Sequence, residues 1–192
     1  MAETRRTIEL TDPRALRAVA HPVRLQLVGL LRREGPLTAT QAGELIGESP
    51  ASCSFHLRQL AKWGLVEEAG GGRGRERPWR ATALFTAWPN VAHDPEQAAA
   101  SGLLSQVVAE RYFEQVMQWL RQRGDDPVEW QEAATFGDRM LYVTSDELAE
   151  LGREIEALLE RYHERTASPE TRPEDARLVN FIRLAFPQPE QT

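Results

Sequence analysis

Several things are scarce in this chain. Its 192 residues include one cysteine, Cys53, and one lysine, Lys62. A single cysteine excludes an internal disulfide framework and a cysteine-rich zinc site. Aromatic residues make up only 7% of the chain, and no apolar run approaches the roughly 20 residues of a membrane span. The opening stretch MAETRRTIEL lacks the apolar core of a secretory leader. The expectation is a soluble cytoplasmic protein with no membrane partner, no metal and no cofactor. Basic charge comes almost wholly from arginine, which suits bidentate contacts to phosphate and guanine. G/C-rich coding would give the same bias.

What is present is unevenly spread. The formal net charge is −6, but residues 1–82 carry 13 Lys and Arg against 9 Asp and Glu, and the rest carries 10 against 20. Such asymmetry hints at one part that faces nucleic acid and one that does not.

Local signals place helices in the basic half. Thr11-Asp12-Pro13 starts one, and His21-Pro22 interrupts it, because a residue before proline is pushed out of the α region. A second runs from Pro22 to about Glu34 with Val23, Leu27, Leu30 and Leu31 at helical spacing. Thr38 and Gln41 form a capping box for a short third helix, which Gly47 ends. Ser49-Pro50 then restarts the chain as N-cap and first helical residue. Two short helices joined by so tight a turn predict a helix-turn-helix.

On the second of these, Cys53, Leu57 and Leu60 form the inward stripe, so Cys53 reads as a packed small residue. Ala51, Ser52, Phe55, Arg58 and Gln59 face outward, flanked by Ser54 and His56. No acidic residue lies between Pro50 and Val66. Leu65-Val66 and Pro78–Thr82 read as two strands around VEEAGGGRGRERPWRAT, a glycine-rich hairpin tip. A nucleotide-phosphate loop would lead from a strand into a helix. Here Pro78-Trp79 follows instead.

HPVRLQLVGLL, GPLTATQAGELIG and ESPASCSFHLRQLAKWGLVEE with the basic hairpin resemble the ArsR-type winged-helix transcriptional regulators, over residues 11–82. The most specific portion is Ser49–Val66, S-P-x-x-x-S-x-H-L-R-x-L-x-x-x-G-L-V. The resemblance implies a homodimer on double-stranded DNA, with one recognition helix per half-site of a palindromic operator. Carried over position by position, Ser49, Ala51, Ser52, Ser54, Phe55, His56 and Arg58 would meet DNA. Hydroxyls and a helix N-terminus suit phosphates, Arg58 and Ser52 suit base edges, and Phe55 suits a thymine methyl. His56 reads equally as an internal hydrogen-bonder. On the hairpin, Arg73 and Arg75 are the fingertips for the DNA backbone or minor groove. Arg77 is a further contact, with Arg77 and Arg80 disposed so that one faces DNA and the other solvent. Metal-sensing relatives use cysteine pairs or Asp/His sets, which this sequence does not match. Glu156, Glu160 and His163 share a helix face that reads as solvated.

The remainder predicts a long helix from about Ser101 to Gln122, a short strand over 139–144, a helix from Ser145 to about Arg165, and a closing strand over 176–186. The expected fold class is mainly α (α+β). A winged helix-turn-helix DNA-binding domain would occupy residues 1–88. A C-terminal helical domain with a small two-stranded β element, residues 89–192, would serve dimerisation and effector binding. Trp88, Trp119, Trp130 and Tyr142 are the candidates for a pocket taking a small apolar effector; the alternative is that the rings fill core and interface.

The expected function is a sequence-specific transcriptional regulator, a dimeric repressor of ArsR type without a metal-sensing site, associated with the nucleoid. It would read its operator through the recognition helix 50–62 and the wing 66–82. The alternative is a winged-helix protein–protein interaction module without operator-specific binding. No enzyme is expected, since no nucleophile sits in a motif with a base partner.

Overall fold

Prolines and small capping side chains set the helix starts of the basic half. Asp12 accepts from the Arg14 amide (2.8 Å) and opens α1, Pro13–Val19. Pro22 is the first residue of α2, Pro22–Glu34, where its missing N–H has no intrahelical partner to lose. Thr38 and Gln41 complete the predicted capping box of α3, Ala39–Ile46. Gly47 leaves that helix at φ 73°, a conformation that favours glycine. Ser49 caps α4, Pro50–Lys62.

The computed structural model describes residues 5–70 and 77–188. Its contacts divide the chain into two units, residues 1–120 and 121–192. In the first unit, β2 (Val66–Glu68) pairs antiparallel with β3 (Trp79–Ala81), Glu67 lying opposite Arg80. Leu37 bridges to Trp79 through two backbone hydrogen bonds of 3.0 and 2.8 Å. A second pair was not read from the sequence. β1 (Arg5–Glu9) runs parallel to β4 (Ala83–Ala87), with Thr7 opposite Phe85 and Glu9 opposite Ala87. Arg32 of α2 holds β4, donating to the Ala83 carbonyl (2.9 Å) and to Thr86 Oγ1 (2.7 Å). Burial pushes this guanidinium down to about 10.

The long helix α5, Pro95–Gln122, starts earlier than periodicity predicts, because Asp94-Pro95 is itself a start signal. The Asp94 carboxylate accepts from the Gln97 amide (2.7 Å). Ala100, Leu104 and Val108 of α5 join one apolar core with Leu16 of α1, Leu27 of α2, Cys53, Leu57 and Leu60 of α4, and Leu65. The described residues before 89 and the first half of α5 therefore share a single core. Each fully buried leucine contributes about 1.5–3 kcal/mol, against a net stability of about 5–15 kcal/mol for a whole domain.

The second unit is helical. α6 spans Val128–Ala133 and α7 spans Ser145–Ala167, the latter opened by a capping box of Thr144 and Glu147. The two strands expected over 139–144 and 176–186 do not form, and the described residues of this unit contain no strand. Apolar alternation supplies a face, but a strand also needs a neighbour to pair its backbone N–H and C=O groups. The mainly helical fold with an N-terminal helix-turn-helix stands, and both small sheets belong to the first unit. Arg177 pairs with Asp126 (3.0 Å) and lies over the Trp130 ring. Arg183 donates to the Gly152 carbonyl of α7 (2.9 Å). No helix among the described residues is long and apolar enough to cross a membrane.

Candidate nucleic-acid interface

The geometry of the α3–α4 turn rests on Gly43. A Cβ on this helical glycine would lie 2.5 Å from the Glu48 carbonyl oxygen, well inside van der Waals contact. The Glu48 amide donates back to the Gly43 carbonyl (3.0 Å). The chain thus turns directly over the last part of α3, which sets how α4 is presented. Nothing in the sequence marks Gly43, because a glycine inside a helical pattern carries no local sign of what crosses above it.

At the start of α4, Ser49 Oγ accepts from the Ser52 amide (3.1 Å) and the Ser49 carbonyl accepts from the Cys53 amide (3.0 Å). Pro50 has no N–H, so the Ala51 amide is the first-turn donor left for an anion. Ala51, Phe55 and Arg58 are exposed and Ser52, Ser54 and Gln59 are half-exposed along one side of the helix. Phe55 is 48% exposed, with its ring edge-on to that of His56 (centroids 5.2 Å). Arg58 lies back along the helix, its Nε donating to the Ser54 carbonyl (3.2 Å). Cys53 is fully buried and its thiol is pushed up by that burial, in keeping with a packing role.

His56 does not share this surface. It is only 8% exposed, with its ring 4.6 Å from that of His21 at the cap of α2. Arg24 Nε donates to His56 Nδ1 (3.3 Å), and Arg24 also reaches the Ala18 carbonyl. Burial holds His56 below the ordinary histidine value, and the neighbouring His21 and Arg24 add to the effect. His21 is lowered too, by burial first and Arg24 second, and its Nδ1 is buried without a partner. Of the two readings of His56, the structure shows the internal one: its ring clamps α4 to α2. The role of His21 and Arg24 beside His56 is not legible in the sequence, because it arises only where two helices meet.

The wing follows α4 directly. Trp79, 9% exposed, anchors it in the core. Arg80 forks onto Glu67 across the strands (2.6 and 2.9 Å), and Arg77 pairs with Glu68 (3.0 Å). Both predicted wing cations at the base of the hairpin therefore carry their own counter-charge, a pairing the sequence reading did not anticipate. Arg73 and Arg75, the expected fingertips, lie outside the described residues.

The aromatic candidates are not gathered into one site. Trp88 donates its indole N–H to Ser105 Oγ (2.9 Å) beside a depression of about 240 Å³ lined by Glu9, Leu10, Thr11, Ala87 and Pro89. That is below the roughly 300–1,000 Å³ of ordinary small-molecule pockets. Trp119 is half-buried on α5. Trp130 belongs to the other unit and is covered by Arg177, and Tyr142 is fully exposed at 108%. Among the described residues no three His, Cys, Asp or Glu side chains are placed to hold a metal ion. Glu160 and His163 pair on α7 at 3.2 Å.

Residues 19–69 match the family model of a helix-turn-helix domain, a span that takes in α2, α3, α4 and β2. Comparison with curated proteins finds no significant match. The elements that build the exposed side of α4 are thus those of a helix-turn-helix domain, and such a domain suggests a DNA-binding regulator.

Proposed function

With a helix-turn-helix over residues 19–69 as the premise, we propose that this chain is a sequence-specific transcriptional regulator of ArsR type, a dimer that represses from a palindromic operator. One observation carries the reading. The solvent side of α4 is polar, carries an exposed phenyl ring and one arginine, and has no acidic residue from Ala51 to Leu65. Such a face fits a negatively charged major groove better than a protein surface.

In this reading the Ala51 amide and Ser54 fix the helix on phosphates, Ser52 and Arg58 read base edges once Arg58 leaves the Ser54 carbonyl, and Phe55 meets a thymine methyl. The wing contacts the backbone or minor groove through Arg73 and Arg75, with Arg77 joining once it parts from Glu68. Exposed ion pairs of this kind are worth about 0–1 kcal/mol, so the exchange of partner is energetically small. Domain roles follow the expected boundary, DNA reading by residues 1–88 and dimerisation by 89–192. A small apolar effector beside Trp88 would act by shifting dimer geometry. No catalytic chemistry is assigned.

The test is selection of sheared genomic fragments by the full chain, followed by Arg58→Ala. Sharp enrichment of palindromic sites, with specificity relaxed at one position per half-site in the variant, supports the reading. No enrichment at any salt concentration would move the protein to the alternative, a winged-helix module for protein contacts.

A further inference from the structure

The unit of residues 121–192 contains no buried side chain among its described residues. Fourteen of its large apolar side chains are more than a third exposed. Twelve of them lie in three places: on α7, as Leu151, Leu158 and Tyr162; in the stretch 140–143; and in the stretch 176–186, Leu178, Phe181 and Leu184 among them. Fixing a residue's backbone costs about 1–2 kcal/mol, and burial of apolar surface is the main term that offsets it. A unit with no interior cannot meet that requirement alone. Its interior has to be completed by something else.

The charges indicate what. α7 carries seven acidic residues against three arginines, whereas 176–186 carries Arg177 and Arg183 and no acid. A basic apolar stretch and an acidic apolar helix on one chain complement each other. A two-fold axis makes such a contact occur twice, since an isologous interface matches each element with its counterpart on the other copy. Within one copy the match is only begun. Arg183 reaches the Gly152 carbonyl and stands 4.0 Å from Glu156, while Leu178, Phe181 and Leu184 stay open to solvent. The area also suffices. A stable interface takes roughly 800 Å² from each partner, or about 60 Å² from each of the fourteen side chains.

We infer that residues 121–188 are the interface between two copies of this chain, the stretch 176–186 of one copy lying on α7 of the other. This deepens the dimeric reading above and rests on it. An acidic α7 disfavours an anionic lipid surface as the occupant.

The experiment uses the full chain in two differently tagged forms, one with Leu158→Cys and the other with Phe181→Cys, co-purified under mild oxidation. The native Cys53 is fully buried and leaves the background low. The expected result is a disulfide-linked species carrying both tags, absent when either variant is paired with wild type. Light scattering should show a dimer for wild type and a monomer for Leu158→Glu at about 10 μM, with at least tenfold weaker operator binding in that variant. Circular dichroism of Leu158→Glu checks that its helices persist, and should they not, the cross-link alone decides. A wild-type dimer that gives no two-tag species overturns the assigned interface and leaves the dimeric reading standing. A wild-type monomer at about 100 μM overturns both. Closure of the bond within a single chain carrying Leu158→Cys and Phe181→Cys, with no two-tag species, also overturns the inference.

Discussion

Two glycine-to-alanine substitutions in helices should act with opposite signs. At Gly102 on α5, an added Cβ meets nothing within 4 Å. Alanine there gains only the helix-propensity difference, about 0.5–1 kcal/mol of stabilisation. At Gly43 on α3, the same gain competes with a Cβ placed 2.5 Å from the Glu48 carbonyl oxygen, where ordinary contact begins at 3.4 Å. The obstacle is backbone, so the α3–α4 turn has to move by most of an ångström. Overpacking of this size costs about 1–3 kcal/mol. Lengthening the Glu48-to-Gly43 hydrogen bond removes up to about 1 kcal/mol more. The net expectation for Gly43→Ala is a loss of about 1–3 kcal/mol, or roughly 4–12 °C in the melting temperature of the first unit. Thermal and urea unfolding of both variants beside wild type measures it. Operator affinity should fall for Gly43→Ala beyond its effect on folding, since the turn sets the presentation of α4. A Gly43→Ala protein as stable as Gly102→Ala would refute the argument that this glycine is required by the turn.

Other expectations concern charge. His21 and His56 are both held below the ordinary histidine value, so folding favours the neutral rings. Stability from this source is complete above the unfolded value of about 6.5 and is lost as pH falls through it towards the folded values. Urea unfolding between pH 8 and pH 5 should show the decline, and His56→Gln should flatten it. Arg111 of α5 is half-buried, lowered by that burial, and its buried Nη1 has no partner. Arg111→Met should therefore raise the unfolding free energy by about 1 kcal/mol or more, and a fall would show that the guanidinium has a counter-charge in solution. Glu68→Gln frees Arg77, so non-specific DNA binding should tighten and its salt slope steepen by about 1; an unchanged slope would remove Arg77 from the contact surface.

The sequence was most informative where the cause of structure is local. The boundaries of α2, α3 and α4 followed from Pro22, from Thr38 with Gln41 and Gly47, and from Ser49-Pro50, each of which acts within a turn of its own position. β1 was missed because RRTIE reads as polar surface, and its partner β4 lies more than seventy residues away. The stretches 139–144 and 176–186 were read as strands from their apolar pattern, but among the described residues neither has a neighbour to complete a ladder. His56 was undecidable from α4 alone, since its surroundings come from α2. On the wing, the pairing of Arg77 and Arg80 with Glu68 and Glu67 depended on register, which a glycine-rich connection leaves undetermined.

The bridge between Leu37 and Trp79 has a mechanical consequence. Leu37 immediately precedes the cap of α3, and Trp79 opens the returning strand of the wing. Two hydrogen bonds tie them, so the strand that carries the wing and the helix pair that carries the reading face are joined at their roots. On the proposed docking, the span between the reading helix and the base of the wing is then a fixed ruler within each copy. Operators could vary in the distance between their half-sites, to the extent that the two copies move relative to each other, but hardly at all within a half-site.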